Sequence, residues 1–166
     1  MKRTLRSNCF ETNSSSMHTV TMVGKSNINN YYKYDEVIEI TLDEYGWSGH
    51  PCDDFLSKLA YAMSMILHTE YPGFECWGDY GFTVDQDVLE NLDGYNIILN
   101  AINNHFRCEK IVIEKNGAYY YPYGYIDHQS CEDYSSLQDF LNDWDVDAER
   151  FLFDDSVIVL IDNDNH

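Results

Sequence analysis

The stretch DDFLSKLAYAMSMILH, residues 53–68, carries the strongest secondary-structure signal in this chain of 166 residues. Apolar side chains recur in it at the spacing of one helix face: Phe55, Leu59, Met63 and Ile66. Pro51 stands just before the stretch, and the acidic Asp53 and Asp54 suit the positive end of a helix dipole. The stretch therefore predicts a helix that packs an apolar face into a core.

On the N-terminal side of this helix, two short segments alternate between apolar and polar residues. Residues 18–23 place Val20 and Met22 on one face, and residues 37–42 alternate through apolar residues in the same way. Alternation with a period of two is typical of a half-buried strand. Two strands are therefore predicted before the helix.

On the C-terminal side, turn and capping residues separate further elements. Thr83 and Gln86 have the spacing of a capping box and predict a short helix that ends at Gly94. A second helix is predicted over residues 95–106, where apolar residues recur on one side. Asn116 and Gly117, between residues 110–114 and 118–121, are typical of a hairpin turn.

The last third of the chain predicts one more helix and one more strand. Ser135 or Ser136 caps a helix with apolar residues down to Trp144, and residues 157–161 form an apolar run short enough for a buried strand. The order of elements is not a regular β-α-β alternation. We therefore predict the α+β class, with a mixed or antiparallel sheet, three to four helices packed on it, and a single domain over residues 1–166.

The charge of the chain is strongly negative and unevenly distributed. It carries 29 acids against 10 bases, a formal charge of −19. Residues 1–34 have a net charge of +4, and the remainder has −23. Such a field repels nucleic acid and anionic membranes and attracts a basic protein surface. The simpler interpretation is that the acids only keep the protein soluble.

Cysteine usage and apolar runs indicate a protein of the reducing cytoplasm. The five cysteines form no CxxC pair and match neither a disulfide framework nor a zinc site, so free thiols are expected: Cys9, Cys52, Cys76, Cys108 and Cys131. Polar residues follow Lys2, Arg3 and Arg6 where a signal peptide needs an apolar core, and no apolar run approaches membrane-spanning length.

Three polar segments interrupt the pattern, and the first is NCFETNSSSMH, residues 8–18. Its successive serines expose amides and hydroxyls, as an anion-binding turn requires. The residues expected to bind a phosphate are Arg6, Ser14, Ser15 and Ser16. His18 is a candidate acid or base. A serine-rich turn that leads into a strand is the simpler interpretation.

The other two polar segments are GYIDHQS, residues 124–130, and DNDNH, residues 162–166. Asp127 and His128 are candidate catalytic residues if the protein is an enzyme, and adjacent residues reach one site only from a turn. The candidate ligands for a divalent metal are Asp127, Asp162 and Asp164. A structural Asp-His pair and a solvated C-terminus are the simpler interpretations.

The densest acidic region is residues 127–164, where 12 acids accompany Arg150 as the one base. Regularly placed carboxylates can take the place of nucleic-acid phosphates on a basic protein. The candidate partner-binding residues are Asp139, Asp143, Asp145, Asp147, Asp154 and Asp155.

The opening RSNCFETNSSSMH, residues 6–18, resembles the start of a family of small proteins of bacteria and their phages. The similarity extends through EYGW, KLAY, GYIDHQS and FLFDDS at residues 44–47, 58–61, 124–130 and 151–156, and through the DNDN tail. The resemblance implies a bacterial or phage setting and no particular activity. In size and charge the chain is also similar to phage anti-defence proteins, including anti-CRISPR proteins that imitate DNA.

Two functional hypotheses follow. In the first, the chain is an acidic inhibitor encoded by a phage or mobile element, and it binds the basic nucleic-acid groove of a host defence protein such as a CRISPR effector. It would act in the host cytoplasm, as a monomer or homodimer, without contacting nucleic acid or membrane. In the second, it is a metal-dependent enzyme or nucleotide-binding protein whose three polar segments converge in space.

Overall fold

The computed structural model describes residues 16–22, 36–43, 45, 51–74, 84–114, 124, 126 and 134–163. In chain order its elements are β1 (Ser16–Met22), β2 (Val37–Ile40), α1 (Phe55–Thr69), α2 (Gln86–Leu89), α3 (Asp93–Asn103), β3 (Lys110–Ile113), α4 (Leu137–Asp143), α5 (Ala148–Phe153) and β4 (Val157–Asn163). The predicted α+β class is confirmed. The described residues contain five helices, one more than the upper number predicted.

The strands form two separate two-stranded sheets in this part of the chain. β1 pairs antiparallel with β4, with Ser16 opposite Asn163 and Met22 opposite Val157. β2 pairs parallel with β3, from Val37 opposite Lys110. The first strand of the predicted hairpin is therefore present as β3, but its described partner is β2. The Asn116-Gly117 turn and the return strand lie outside the described residues.

The central element is α1, which contacts α3, α4, α5 and β2. Its N-cap is Asp54, whose carboxylate accepts a hydrogen bond from the Ser57 amide at 3.0 Å. All residues from Lys58 to Leu67 are buried. The prediction of this helix is confirmed, but it is buried on nearly all sides because helices and strands surround it.

The helices α2 and α3 begin at other residues than predicted. The N-cap of α2 is Asp85, which accepts from the Asp87 amide at 3.0 Å, so the predicted capping box of Thr83 and Gln86 is wrong. Gly94 does not end a helix but lies in the first turn of α3. A Cβ at this position would lie 2.5 Å from Oε1 of Glu70 and 2.7 Å from Cγ1 of Ile66. Glycine is therefore required by the close approach of α1.

We expect Gly94→Ala to lower the free energy of unfolding by about 1–3 kcal/mol, the usual cost of overpacking. The added methyl group must displace the Glu70 carboxylate, which accepts from the Gly94 amide at 2.8 Å. Urea denaturation measures the effect. Ala101→Gly, in the interior of the same helix, serves as a backbone control, with a loss of about 1 kcal/mol. A Gly94→Ala protein as stable as the wild type would contradict the close approach.

The strand β4 is half-buried, and the prediction of a fully buried strand is wrong. Val157 and Val159 are buried, whereas Leu160 is 38% exposed. The apolar run therefore lines the core with alternate residues, as expected for a strand in a two-stranded antiparallel sheet. Ser136 caps α4 by accepting from the Asp139 amide at 3.2 Å, as predicted.

Candidate functional site

The predicted partner-binding acids differ in their exposure to solvent. Asp139, Asp143, Asp145 and Asp147 are exposed, as is Asp155, but Asp154 is fully buried. The Asp154 carboxylate accepts from the amide and hydroxyl of Ser156, at 3.0 and 2.6 Å. It therefore organises the turn between α5 and β4. The expectation that Asp154 contacts a partner is wrong, because this side chain does not reach the surface.

The four exposed acids from Asp139 to Asp147, which we term the C-terminal acidic segment, follow from the way α4 packs. Leu137, Phe140 and Leu141 are buried, so positions 139 and 143 fall on the outer side of the helix. Residues four apart on a helix have Cβ atoms about 5–6 Å from each other. The Ser135 hydroxyl donates to the Asp139 carboxylate, and the Tyr134 hydroxyl donates to that of Asp143 at 3.0 Å.

The other two acids of the segment shape the connection between α4 and α5. Asp145 has a φ of 54°, in the left-handed region that Asp and Asn adopt more readily than most residues. Asp147 is the N-cap of α5 and accepts from the Arg150 amide at 2.7 Å. Both residues have a local structural reason to be present, and both are exposed.

Three basic side chains among the described residues are already engaged with the rest of the protein. Lys58 is buried, and Arg107 pairs with Glu36 at 2.9 Å and with Glu109 at 2.7 Å. The Nε atom of Arg150 lies 3.7 Å from the buried Asp154 carboxylate. Arg150, the one base between residues 134 and 163, thus has a buried acid as one of its partners.

The pairing of β1 with β4 brings two of the three polar segments together. Ser16 lies opposite Asn163, and Met17 lies opposite Asp162. Residues alternate between the two faces of the sheet, so position 18 lies on the same face as Val20 and Ile161, and position 162 lies on the opposite face. The main chains of residues 16–18 and 162–163, the described parts of the first and third segments, are therefore adjacent, whereas positions 18 and 162 lie on different faces of the sheet.

The rest of these predicted sites falls outside the described residues, namely Arg6, Ser14, Ser15, Asp127, His128 and Asp164. The side chains of Ser16, His18 and Asp162 also lie outside what the structure describes. Among the described side chains, no group of three His, Cys, Asp or Glu residues is arranged to hold a metal ion. The phosphate-binding, catalytic and metal-binding roles stay predictions.

The second polar segment is anchored at its first residues. The Gly124 amide donates to the Asp43 carbonyl at 3.1 Å, and Ile126 bridges to Tyr45 as in a parallel sheet. Gly124 has a φ of 70°, and a Cβ there would lie 2.9 Å from Cδ1 of Leu42. His68, in the last turn of α1, contacts the main chain of both Gly124 and Ile126.

The two cysteines that the structure describes are free and buried, which confirms the prediction for Cys52 and Cys108. Burial, together with the charge of the neighbouring Asp43, raises the pKa of the Cys52 thiol to about 12. The thiolate is the reactive form of cysteine, so Cys52 is not suited to act as a nucleophile.

Sequence reasoning missed three residues that hold the described fold together. The Nζ atom of Lys58 donates to the carbonyl oxygens of Asp154 and Val157, at 3.0 and 3.2 Å. Glu70 accepts from the Gly94 and Leu137 amides, at 2.8 and 3.0 Å. Lys58 stands within the apolar stretch of α1, which is a signal for a buried charge. No local pattern marks Glu70 or His68.

Comparison with protein-family models, with curated proteins and with solved structures returns no match to this chain. The family resemblance of residues 6–18 therefore stays a prediction. Across the described residues, no helix has the length and apolar character needed to cross a membrane.

Proposed function

We propose that the chain is an acidic binding protein whose C-terminal acidic segment docks on the basic nucleic-acid groove of a host defence protein, such as a CRISPR effector. It would be encoded by a phage or mobile element and would act in the host cytoplasm by excluding nucleic acid from that groove. The segment offers carboxylates where the groove normally meets phosphates.

The observation that carries this proposal is the exposure of four carboxylates between residues 139 and 147. Asp139 and Asp143 lie one helical turn apart, and like charges at this spacing cost an isolated helix about 0.2–0.5 kcal/mol. Basic side chains of a partner would attract both carboxylates and so offset the repulsion between them. The charge of the segment also speeds the encounter with a basic groove, because long-range attraction raises association rates.

The proposal is tested by competition with DNA. A purified CRISPR nuclease carrying its guide RNA is mixed with a fluorescent target duplex, and the chain is titrated in. We expect displacement of the duplex with a stoichiometric end point and no turnover. Asp139→Asn, Asp143→Asn, Asp145→Asn and Asp147→Asn are combined in one variant. Exposed ion pairs contribute about 0.2–1 kcal/mol each, so the loss of four should raise the inhibition constant at least about fourfold.

Asparagine is the appropriate replacement because it also caps helices and adopts left-handed backbone, so the fold is retained. The matched control removes four exposed charges elsewhere: Glu39→Gln, Asp53→Asn, Asp87→Asn and Glu114→Gln. We expect it to inhibit within about twofold of the wild type. Equal losses in both variants would mean that only total charge matters and would contradict docking through the C-terminal acidic segment.

A second candidate function is supported by the β1–β4 register. Ser16 lies opposite Asn163 and Met17 lies opposite Asp162, which favours a metal-dependent enzyme or nucleotide-binding protein that uses the Ser14–Ser16, Asp127-His128 and Asp162–Asp164 segments. Such an enzyme would inactivate an excess of its target, whereas an inhibitor cannot. His18→Ala and His128→Ala would each abolish an enzymatic effect, and they would leave stoichiometric inhibition unchanged.

A further inference from the structure

His68 contacts two main-chain groups with a single nitrogen atom. Its ring lies at the end of α1 and meets Phe74 edge-on, with ring centres 4.9 Å apart. The Nε2 atom is 2.8 Å from the Gly124 carbonyl oxygen and 3.1 Å from the Ile126 amide nitrogen. Gly124 and Ile126 immediately precede the Asp127-His128 pair of the second polar segment.

These two neighbours require opposite hydrogen-bonding roles of Nε2. The Gly124 carbonyl needs a proton on this nitrogen, and the Ile126 amide needs a lone pair there. Each neutral tautomer of histidine satisfies one of the two groups. The imidazolium ion carries a proton on both ring nitrogens, so it can serve only the Gly124 carbonyl.

We propose that His68 is an acid-sensitive latch on the start of the second polar segment. The neutral ring alternates between the Gly124 carbonyl and the Ile126 amide and so holds both. Protonation fixes the ring on the Gly124 carbonyl by a charge-assisted hydrogen bond and repels the Ile126 amide. Acidification therefore loosens the chain at Ile126, while Gly124 stays attached. The latch is independent of the proposed acidic docking function.

The surroundings of His68 leave the ring neutral at pH 7. Burial lowers the pKa of His68, and the hydrogen bond with the Gly124 carbonyl opposes this shift. Among the described residues, the titratable groups on the adjoining chain are Asp43 beside Gly124, Tyr45 opposite Ile126, and Glu70 and Tyr71 after α1. In the sequence, the titratable Asp127 and His128 directly follow Ile126. Because folding disfavours the proton, this site destabilises the fold as the pH falls below the ordinary histidine value of about 6.5.

The latch is tested by nuclear magnetic resonance on the full chain between pH 7.5 and 5.0. The nitrogen shift of His68 Nε2 reports protonation, and hydrogen exchange of the Ile126 amide reports release. We expect both to change with one midpoint, and Ile126 exchange, corrected for its intrinsic pH dependence, to rise about tenfold. The Gly124 amide, which donates to the Asp43 carbonyl, should change less than about twofold.

The decisive variant is His68→Gln, because one glutamine amide can donate to Gly124 and accept from Ile126 without titrating. We expect the acid-dependent step at Ile126 to disappear in it and to persist in the control His105→Gln. A wild-type chain without the step, or the same step in His68→Gln, would overturn the latch. If His68→Gln does not fold, coincident midpoints in the wild type support the latch and separate midpoints refute it.

Discussion

Replacing Glu70 with alanine is expected to lower the free energy of unfolding by about 3–5 kcal/mol, because two charge-assisted hydrogen bonds are lost together. The carboxylate, just after α1, accepts from the Gly94 amide in the first turn of α3 and from the Leu137 amide at the start of α4. Both amides lack partners within their own helices, and the positive ends of two helix dipoles meet the negative charge. Chemical denaturation measures the loss.

Two further variants separate the charge of Glu70 from its size. Glu70→Gln keeps one acceptor oxygen and should lose about half as much stability as the alanine variant. Glu114→Ala removes an exposed acid on the chain after β3 and should change stability by less than about 0.5 kcal/mol. Equal stability of Glu70→Ala and Glu114→Ala would show that Glu70 does not hold the two helices.

Replacing Lys58 with methionine is expected to lower the free energy of unfolding by about 2–4 kcal/mol. The variant keeps the buried aliphatic chain but loses the hydrogen bonds to the Asp154 and Val157 carbonyls, which join α1 to the turn between α5 and β4. Relief from burying an ammonium group offsets part of the loss. Lys110→Met, at an exposed position of β3, is the matched control and should change stability by less than about 0.5 kcal/mol.

The Lys58 effect also has a pH signature. Burial lowers the pKa of Lys58, and the nearby Asp155 charge opposes the shift. Between this lowered value and the unfolded value of about 10.4, the unfolded chain binds more protons, so the stability of the wild type rises with pH. Its advantage over Lys58→Met should therefore widen from pH 7 toward pH 10. An advantage that stays constant or narrows would contradict a buried ammonium group.

The parts of the fold that were predicted correctly have a local cause. The helix α1 has an apolar repeat over four turns, and α4 has a serine cap followed by apolar residues at helical spacing. The helix α5 was missed because its six residues are too few to show a period. The parallel pairing of β2 with β3 was missed because it joins segments about 70 residues apart, and the Asn-Gly turn indicated a nearer partner.

The candidate site was predicted only where exposure follows from helix geometry. Asp139 and Asp143 alternate with buried residues on α4, so their exposure follows from the spacing. Asp154 and its neighbour Asp155 are the same residue type, but the turn between α5 and β4 buries the first and leaves the second exposed. Which of the two aspartates is buried depends on the contacts of Asp154 with Ser156 and Arg150, and no local sequence pattern predicts these contacts.

Part of the acidic excess has a structural explanation that the charge count alone conceals. Asp54, Asp85 and Asp147 cap helices, and Glu70 and Asp154 hold main-chain amides. Asp139 and Asp143 do not cap a helix through their side chains. Asp139 lies in the first turn of α4, where its charge favours the helix, so Asp143 is the residue at which neutralisation best separates binding from folding.

Salt dependence of binding to the guide-loaded CRISPR nuclease tests the central claim most directly. The affinity of the wild type and of the four-asparagine variant is measured by calorimetry from 50 to 400 mM NaCl. At 0.1 M, salt largely screens interactions between exposed charges that are more than about 10 Å apart. We therefore expect the wild-type affinity to fall steeply as the salt concentration rises, and the affinity of the variant to fall clearly less steeply. Tight binding by both proteins with the same slope, or binding unchanged by salt, would contradict docking through the C-terminal acidic segment.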